Sequence, residues 1–460
     1  MQATQRDSLS FVETLAQLRD RRFLAVLLFG FCSGFPWVLH GSVLTLWLQQ
    51  SGLSRSAIGF FGVIATVYAV NWLWAPFVDR MPLPFLGKRL GQRRSWIVLC
   101  LAGMSLLVLG LGLSDPSVSL VQISLLALGI AICSATLDIS VDAYRIMLFN
   151  REEMDRKMPY AAAVSTTGWF AGYGFIGGAL AVALGGETIG MSWDRVYLVL
   201  AAMVAVLALL VLLTPRPPNE GEEAVGAAVA QSESPSLSDW IQATLIAPFA
   251  EFFQRCGFRL ALSVLLLLLV FRLGEAMLGR MSLVFYVELG FSTEEIALYS
   301  KFLGGFATIV FSLIGAFINT RFGIVRGMLV GGIAMASSNL LYALMAKVGP
   351  EPWLFVVTLL VDNFTQAFAT VCAVSFISYF ASRTYTGTQF ALMTSISNFG
   401  RTSLAASSGA IVDGLAGNWS LFFIMTTVMV IPALLILVWV GKMLKNYNGA
   451  GSTEIAASAE

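Results

Sequence analysis

Hydrophobic stretches alternate with short polar breaks along almost the whole chain. Each stretch is close to the roughly 20 residues that an α-helix needs to cross the hydrocarbon core of a bilayer. The pattern predicts helices near 22–49, 56–78, 95–113, 118–147, 158–184, 196–214, 258–288, 295–319, 324–346, 353–380, 388–414 and 419–440. That is about twelve spans, each able to satisfy its own backbone hydrogen bonds inside lipid. The longest break, Pro215 to Gly257, begins Pro215-Arg216-Pro217-Pro218-Asn219-Glu220-Gly221-Glu222-Glu223, which is too polar to pack. From Ser236 it turns amphipathic through Trp240, Leu245, Phe249, Phe252 and Phe253, the pattern of a helix lying along the inner membrane face. The expected layout is a cytoplasmic N-terminal segment 1–21, a six-helix bundle 22–214, a cytoplasmic linker with an amphipathic helix 215–257, a second six-helix bundle 258–440 and a cytoplasmic tail 441–460.

Charge sets the orientation. Of the 28 Lys and Arg residues, about 21 fall in alternate loops and tails, including Arg19, Arg21, Arg22, Arg80, Lys88, Arg89, Arg93, Arg94, Arg151, Arg156, Lys157, Arg321, Arg326, Arg383, Lys442 and Lys445. The opposite side holds about four: Arg55, Arg195, Lys301 and Lys347. Positive charge stays on the cytoplasmic side, so both termini are expected there, which requires an even number of spans.

Composition agrees: 57% of residues are hydrophobic and 12% charged, against roughly 25% charged in soluble domains. Mean hydropathy is +0.79. This is an integral membrane protein. No basic stripe interleaved with aromatics suggests nucleic acid. The five cysteines, Cys32, Cys100, Cys133, Cys256 and Cys372, form no close pair and read as apolar packing residues, with neither disulfide nor metal implied. Met1 to Asp20 lacks the apolar core of a cleavable signal peptide. No cofactor is expected.

Charges inside the spans carry the candidate chemistry, because a charge in hydrocarbon costs roughly 2.5–3.5 kcal/mol on insertion scales and so faces an interior or a water-filled path. Asp138, Asp142 and Arg145 share one face of the fourth span. Two nearby carboxylates in low dielectric can hold a proton near neutral pH, so Asp138 and Asp142 are candidates for proton coupling; the alternative is a structural ion network with Arg145. Arg272 and Glu275, three residues apart in the seventh span, can pair with each other, or Arg272 can bind a cargo carboxylate once Glu275 is protonated. Asp362 and Arg401, in the tenth and eleventh spans, are candidates for a gate, an inter-helical clamp or cargo contact, and Asp362, like Glu275, is a further candidate for proton coupling. His40, the only histidine, can titrate or serve as a polar wall residue. Gln389 can reach a cargo amide or hydroxyl, or simply pack. Trp37, Trp47, Trp72, Trp74, Trp169 and Tyr173 offer aromatic faces to a sugar ring or a flat ligand, the bland reading being belt or core packing. Gly168 and Gly172, with Gly174, Gly177 and Gly178, give the fifth span a thin face for close helix approach. A histidine-based dyad would need His40, and neither G-x-S-x-G, H-E-x-x-H nor G-x-x-x-x-G-K-[ST] occurs, which argues against enzyme readings and a built-in ATP motor.

A weak internal repeat supports two halves. Ala75-x-x-x-Asp79-Arg80 follows the second span, and Gly315-x-x-x-Asn319-x-Arg321-x-Gly323-x-x-Arg326 follows the eighth. Both resemble the major facilitator signature G-x-x-x-D-R-x-G-R-R. That resemblance implies an all-α fold of twelve helices in two six-helix bundles that rock around a central cavity, with Asp79, Arg80, Arg145, Asn319 and Arg321 in gating. A narrower resemblance follows. Gly30-Phe31-Cys32-Ser33-Gly34-Phe35-Pro36, Trp72-Leu73-Trp74-Ala75-Pro76-Phe77-Val78-Asp79-Arg80, the segment Ala135 to Arg145, Arg272-Leu273-Gly274-Glu275-Ala276, and Thr388-Gln389-Phe390-Ala391-Leu392 with Gly400-Arg401 are similar, in order, to motifs of the AmpG-type muropeptide permeases. The resemblance implies proton-driven import of anhydromuropeptides across the bacterial inner membrane. Two positions depart from it: Asn71 stands where the family tends to carry Lys, and Trp169-Phe170 where it tends to carry Tyr-Arg. Both departures remove a cation, which points anion contacts to Arg272 and Arg401 or else to another cargo, such as an iron-siderophore complex. The expected partners are the small-molecule cargo, protons and the lipid bilayer.

Overall fold

The computed structural model describes residues 20–51, 61–116, 118–185, 189–217, 242, 246–291, 304–382, 384–401 and 407–451. Among the described residues every regular element is helical. Nine helices are long and apolar enough to cross a membrane: Arg21–Leu48, Gln92–Gly112, Leu120–Met147, Arg156–Gly185, Trp193–Val211, Phe258–Leu289, Ile324–Val348, Pro352–Phe380 and Trp419–Leu444. Ala307–Phe322 is a shorter apolar helix.

The spans expected near 56–78 and 388–414 are broken. The first runs through the 3₁₀ turn Phe61–Thr66, Val67–Val70, the turn Asn71–Leu73 and Ala75–Arg80. Pro76 stands at the start of Ala75–Arg80, where its missing N–H costs no bond, so the helix restarts there. The second is split into Thr386–Phe399 and Ser408–Gly414. Residues 56–60, 295–303 and 402–406 of the expected spans lie outside the described residues. The amphipathic element is helical over Ala247–Cys256, where Arg255 Nε pairs with Glu251 Oε1 at 2.7 Å. The linker 218–241, with Trp240, lies outside the described residues, as does Leu245.

The chain forms two compact units, Met1–Pro248 with Ser378–Ser395, and Phe249–Ile377 with Ile396–Glu460. In the first unit Arg21–Gly34 packs backbone to backbone against Arg151–Phe170 with its π-helical continuation Ala171–Phe175. Glycines allow it. A Cβ on Gly30 would lie 2.3 Å from the carbonyl oxygen of Ser165, one on Gly34 2.1 Å from that of Trp169, and one on Gly168 2.3 Å from that of Leu27. The thin face therefore belongs to both helices, and the glycines of the G-F-x-S-G stretch are half of it.

The start of this pair is fixed by ions. Asp20 caps Arg21–Gly34 by accepting from the backbone N–H of Arg22. The Arg22 guanidinium reaches Asp20 at 2.7 Å and Glu153 at 2.8 Å, and Lys157 reaches Glu153 at 2.7 Å. Asn150 and Glu153 form a capping box on Arg151–Phe170. Hydrogen bonding to Arg22 holds the Asp20 carboxyl down at about 2, and that of Glu153 well below its ordinary value.

Replacing Gly168 by Val pushes a side chain into fixed backbone, and overpacking of this kind costs about 3 kcal/mol. The Gly168→Val protein is expected to melt well below the parent in detergent. Gly174→Ala is expected to melt like the parent, since nothing lies within 4 Å of a Cβ there. Equal melting of all three proteins would contradict the packing described.

Candidate functional site

In the first unit Asp138 sits in the middle of Leu120–Met147. Its Oδ1 accepts from Ser33 Oγ at 2.6 Å, and no cation among the described residues lies within ion-pair distance. The expected three-membered face divides. Arg145 Nη2 pairs with Asp142 Oδ1 at 2.8 Å, Nη1 donates to Ser165 Oγ at 3.2 Å, and the guanidinium lies 5.3 Å from the ring of Phe390. Asp142 is thus a structural partner of Arg145, while Asp138 is left with a neutral donor.

Beside Asp138 is a wall of rings. Helix geometry opens into a π-helical turn at Val38–Ser42 and another at Ala171–Phe175, and these turns carry His40 and Tyr173. Such turns commonly mark functional positions. His40 is buried, and its Nε2 is 3.0 Å from Tyr68 Oη. Trp37 stacks on Tyr68 at 4.6 Å, meets Trp169 edge-on at 6.5 Å, and Trp169 leans on Tyr173 at 5.0 Å. Tyr68 is within electrostatic reach of Asp138. Tyr173 keeps 37% of its surface exposed. Trp47 is not part of this wall; it packs on buried Tyr197. Trp74 is turned away too, donating from Nε1 to Thr136 Oγ1 at 3.1 Å. Asn71 is buried, and its Oδ1 accepts from Ser395 Oγ at 3.1 Å, while Phe170 stands edge-on to Trp169. Neither departure site is filled by a cation.

Asp79 holds a junction within the same unit. Its carboxylate accepts from Arg93 Nη1 at 2.6 Å, from the backbone N–H groups of Gly387 and Thr388 at 3.1 and 2.6 Å, and from Thr388 Oγ1 at 2.5 Å. A carboxylate at the first turn of Thr386–Phe399 meets the unpaired N–H groups and the positive end of the helix dipole. A Cβ on Gly387 would lie 2.6 Å from Asp79 Oδ1, which is why a glycine stands there. Arg80 Nη2 donates to Tyr385 Oη at 3.0 Å. Gln389, considered above for cargo contact, is spent on the protein: its Oε1 accepts from the Ser382 N–H at 2.7 Å and its Nε2 donates to the Pro248 carbonyl at 2.9 Å.

In the second unit, Asn319 occupies the repeat position of Asp79. It is fully buried under Gly327, and neither amide atom has a hydrogen-bond partner among the described residues. Arg321 is exposed in the last turn of Gly304–Phe322. Arg272 sits at the break between Phe258–Val270 and Leu273–Leu289 and grips Glu275 bidentately, Nε to Oε2 at 2.6 Å and Nη2 to Oε1 at 2.8 Å. Gly400 lies against the Leu269 carbonyl, so Arg401 comes within electrostatic reach of Arg272 and Glu275. An Asp362–Arg401 pair does not form. Asp362 Oδ2 accepts from Tyr342 Oη at 3.1 Å and Gln366 Nε2 at 2.8 Å, and Ser338 Oγ lies 3.4 Å from Oδ1. Neutral donors have taken the place expected for a cation.

Removing the Asp79 carboxylate strands the buried Arg93, and breaking a buried pair costs about 3–5 kcal/mol. Asp79→Ala is expected to lower the melting temperature of the detergent-solubilised protein sharply. Asp79→Asn, which keeps an acceptor for Thr388, is expected to fall between it and the parent. Unchanged melting in both would contradict the junction.

Residues 26–402 match the Major Facilitator Superfamily family. A putative transporter AmpG 4 of Rickettsia felis is 32% identical over 425 residues, covering 92% of this chain and 97% of that protein. An anhydromuropeptide permease of Escherichia coli is 27% identical over 417 residues, covering 90% of this chain and 79% of that one. Among solved structures, the major facilitator transporter FucP superposes with a TM-score of 0.64 at 14% identity, covering 91% of this chain and 98% of that one. The match across most of the chain and the similar AmpG sequences agree with the geometry of charges held inside apolar helices: this chain belongs to the AmpG family of the major facilitator superfamily, multi-pass membrane transporters of small molecules rather than enzymes.

Proposed function

We propose that this protein imports anhydromuropeptides into the cytoplasm, driven by protons, across a bacterial inner membrane with both termini cytoplasmic. The observation that carries this reading is Asp138: a carboxylate with no cation partner among the described residues, inside a membrane helix and beside the ring wall Tyr68–Trp37–Trp169–Tyr173. Aromatic faces suit the apolar faces of sugar rings, and His40, Tyr68 and Ser33 supply hydrogen-bonding groups at the same wall. A wall that mixes rings with such polar groups does not face hydrocarbon. The family relatives support the cargo class, one of them being named an anhydromuropeptide permease.

The second unit supplies the anion chemistry. While Glu275 is ionised it holds Arg272 through two hydrogen bonds and neutralises its charge. Protonation of Glu275 removes the partner charge and leaves Arg272, with Arg401 near it, to receive the carboxylates of a cargo peptide. Asp138 protonation and cargo entry are thereby both favoured by an outside proton supply. The missing cations at Asn71 and Phe170 keep a second cargo in view, an iron-siderophore complex whose flat groups would use the same rings.

Membrane vesicles carrying the protein, given labelled anhydromuropeptide and an inward proton gradient, are expected to accumulate label and to lose it on addition of a protonophore. Asp138→Asn and Glu275→Gln are each expected to reduce accumulation strongly. Full accumulation in both variants would overturn the coupling scheme. Uptake of iron-siderophore with none of muropeptide would overturn the cargo.

A further inference from the structure

Asp362, like Asp138, is an intramembrane carboxylate with no ion pair among the described residues, and its surroundings differ from those of Asp138. It lies in Pro352–Phe380 and is 5% exposed. Its donor Tyr342 is itself 2.9 Å, hydroxyl to hydroxyl, from Tyr286. Because Tyr342 donates to the carboxylate, Tyr286 must donate to Tyr342. Both tyrosines are buried in an apolar box: Phe355 lies 4.6 Å from the Tyr286 ring, and Phe285 and Phe423 lie 6.4 and 5.3 Å from that of Tyr342. The two hydroxyls are therefore a single polar thread through packed rings, ending on a buried acid. Glu275, held by Arg272, and Arg401 beside that pair are the charged groups within electrostatic reach of this region. Gln366, Thr365 and Asn363, on the helix of Asp362 itself, carry no charge.

We propose that Asp362 is the proton-binding site of the second unit, loaded through the hydroxyl chain Tyr286–Tyr342. This inference rests on the proton-driven reading above and adds the route and acceptor. A proton arriving at Tyr286 Oη displaces the hydroxyl hydrogen toward Tyr342, which passes its own to Asp362 Oδ2. One O–H bond forms on the carboxyl, each tyrosine ends neutral, and the hydroxyls then turn back. Tyr286 stands within a turn of the end of Leu273–Leu289, which the Lys and Arg distribution places on the outer side. Loading Asp362 removes a negative charge within electrostatic reach of Glu275. The carboxyl is thus the inner end of a route that begins at Tyr286.

Two measurements test this. In purified protein without cargo, infrared difference spectra between acidic and alkaline buffer are expected to show a protonated-carboxyl stretch that disappears in Asp362→Asn and shifts in Tyr342→Phe. In vesicles, folded Asp362→Asn is expected to lose net proton-driven accumulation while keeping exchange of labelled for unlabelled cargo. A carboxyl band unchanged by Asp362→Asn overturns the proposal, as does accumulation at the parent level or loss of exchange together with accumulation. If the parent itself takes up no muropeptide, the cargo reading fails, and the infrared result still decides the role of Asp362.

Discussion

A charge held inside hydrocarbon must be answered within the protein, and this constraint organises the structure. Asp79 is answered by Arg93 and by the start of a helix, Asp142 by Arg145, and Glu275 by Arg272 in a two-pronged grip. Each of these is stable because its partner charge and its hydrogen bonds are supplied together. Asp138 and Asp362 differ, having no ion pair among the described residues. Their donors are hydroxyls and an amide, which can serve a neutral acid as well as an anion. The arrangement thus separates carboxylates answered by a cation from carboxylates answered by neutral donors alone.

The breaks in the helices follow the same division. His40 and Tyr173 sit on π-helical turns, Asn71 on a 3₁₀ turn, and Arg272 at the junction of two helices. Irregular backbone at membrane depth is tolerated only where protein or water satisfies it. Unwinding at these points turns side chains that a straight helix would send elsewhere. The glycine-lined contact of Gly30, Gly34 and Gly168 does the opposite task, locking two helices backbone to backbone so that the ring wall they carry keeps its spacing.

Long apolar spans were legible in the sequence because hydropathy over a bilayer's width is a strong signal. The ion pairs Asp142–Arg145 and Arg272–Glu275 were legible because three-residue spacing on a helix is local. What the sequence did not disclose depends on distant partners. Ser33 for Asp138, Tyr342 for Asp362 and Thr388 for Asp79 lie on other helices, and nothing in a one-dimensional pattern pairs them. A signal existed for Tyr286 and Tyr342, since a tyrosine buried in a span needs a partner for its hydroxyl. Asp362 was matched with Arg401 by opposite charge alone, and the hydroxyl-rich surroundings decided otherwise. Gln389 was ambiguous because an amide near a helix end serves backbone groups as readily as a cargo.

The central claim is that cargo and proton enter together. Proteoliposomes bearing the protein, weakly buffered and with no imposed gradient, test it when unlabelled anhydromuropeptide is added outside. The account predicts that the external medium turns alkaline as cargo enters, and that the change vanishes with Asp138→Asn. Cargo uptake without any change in external pH would contradict it.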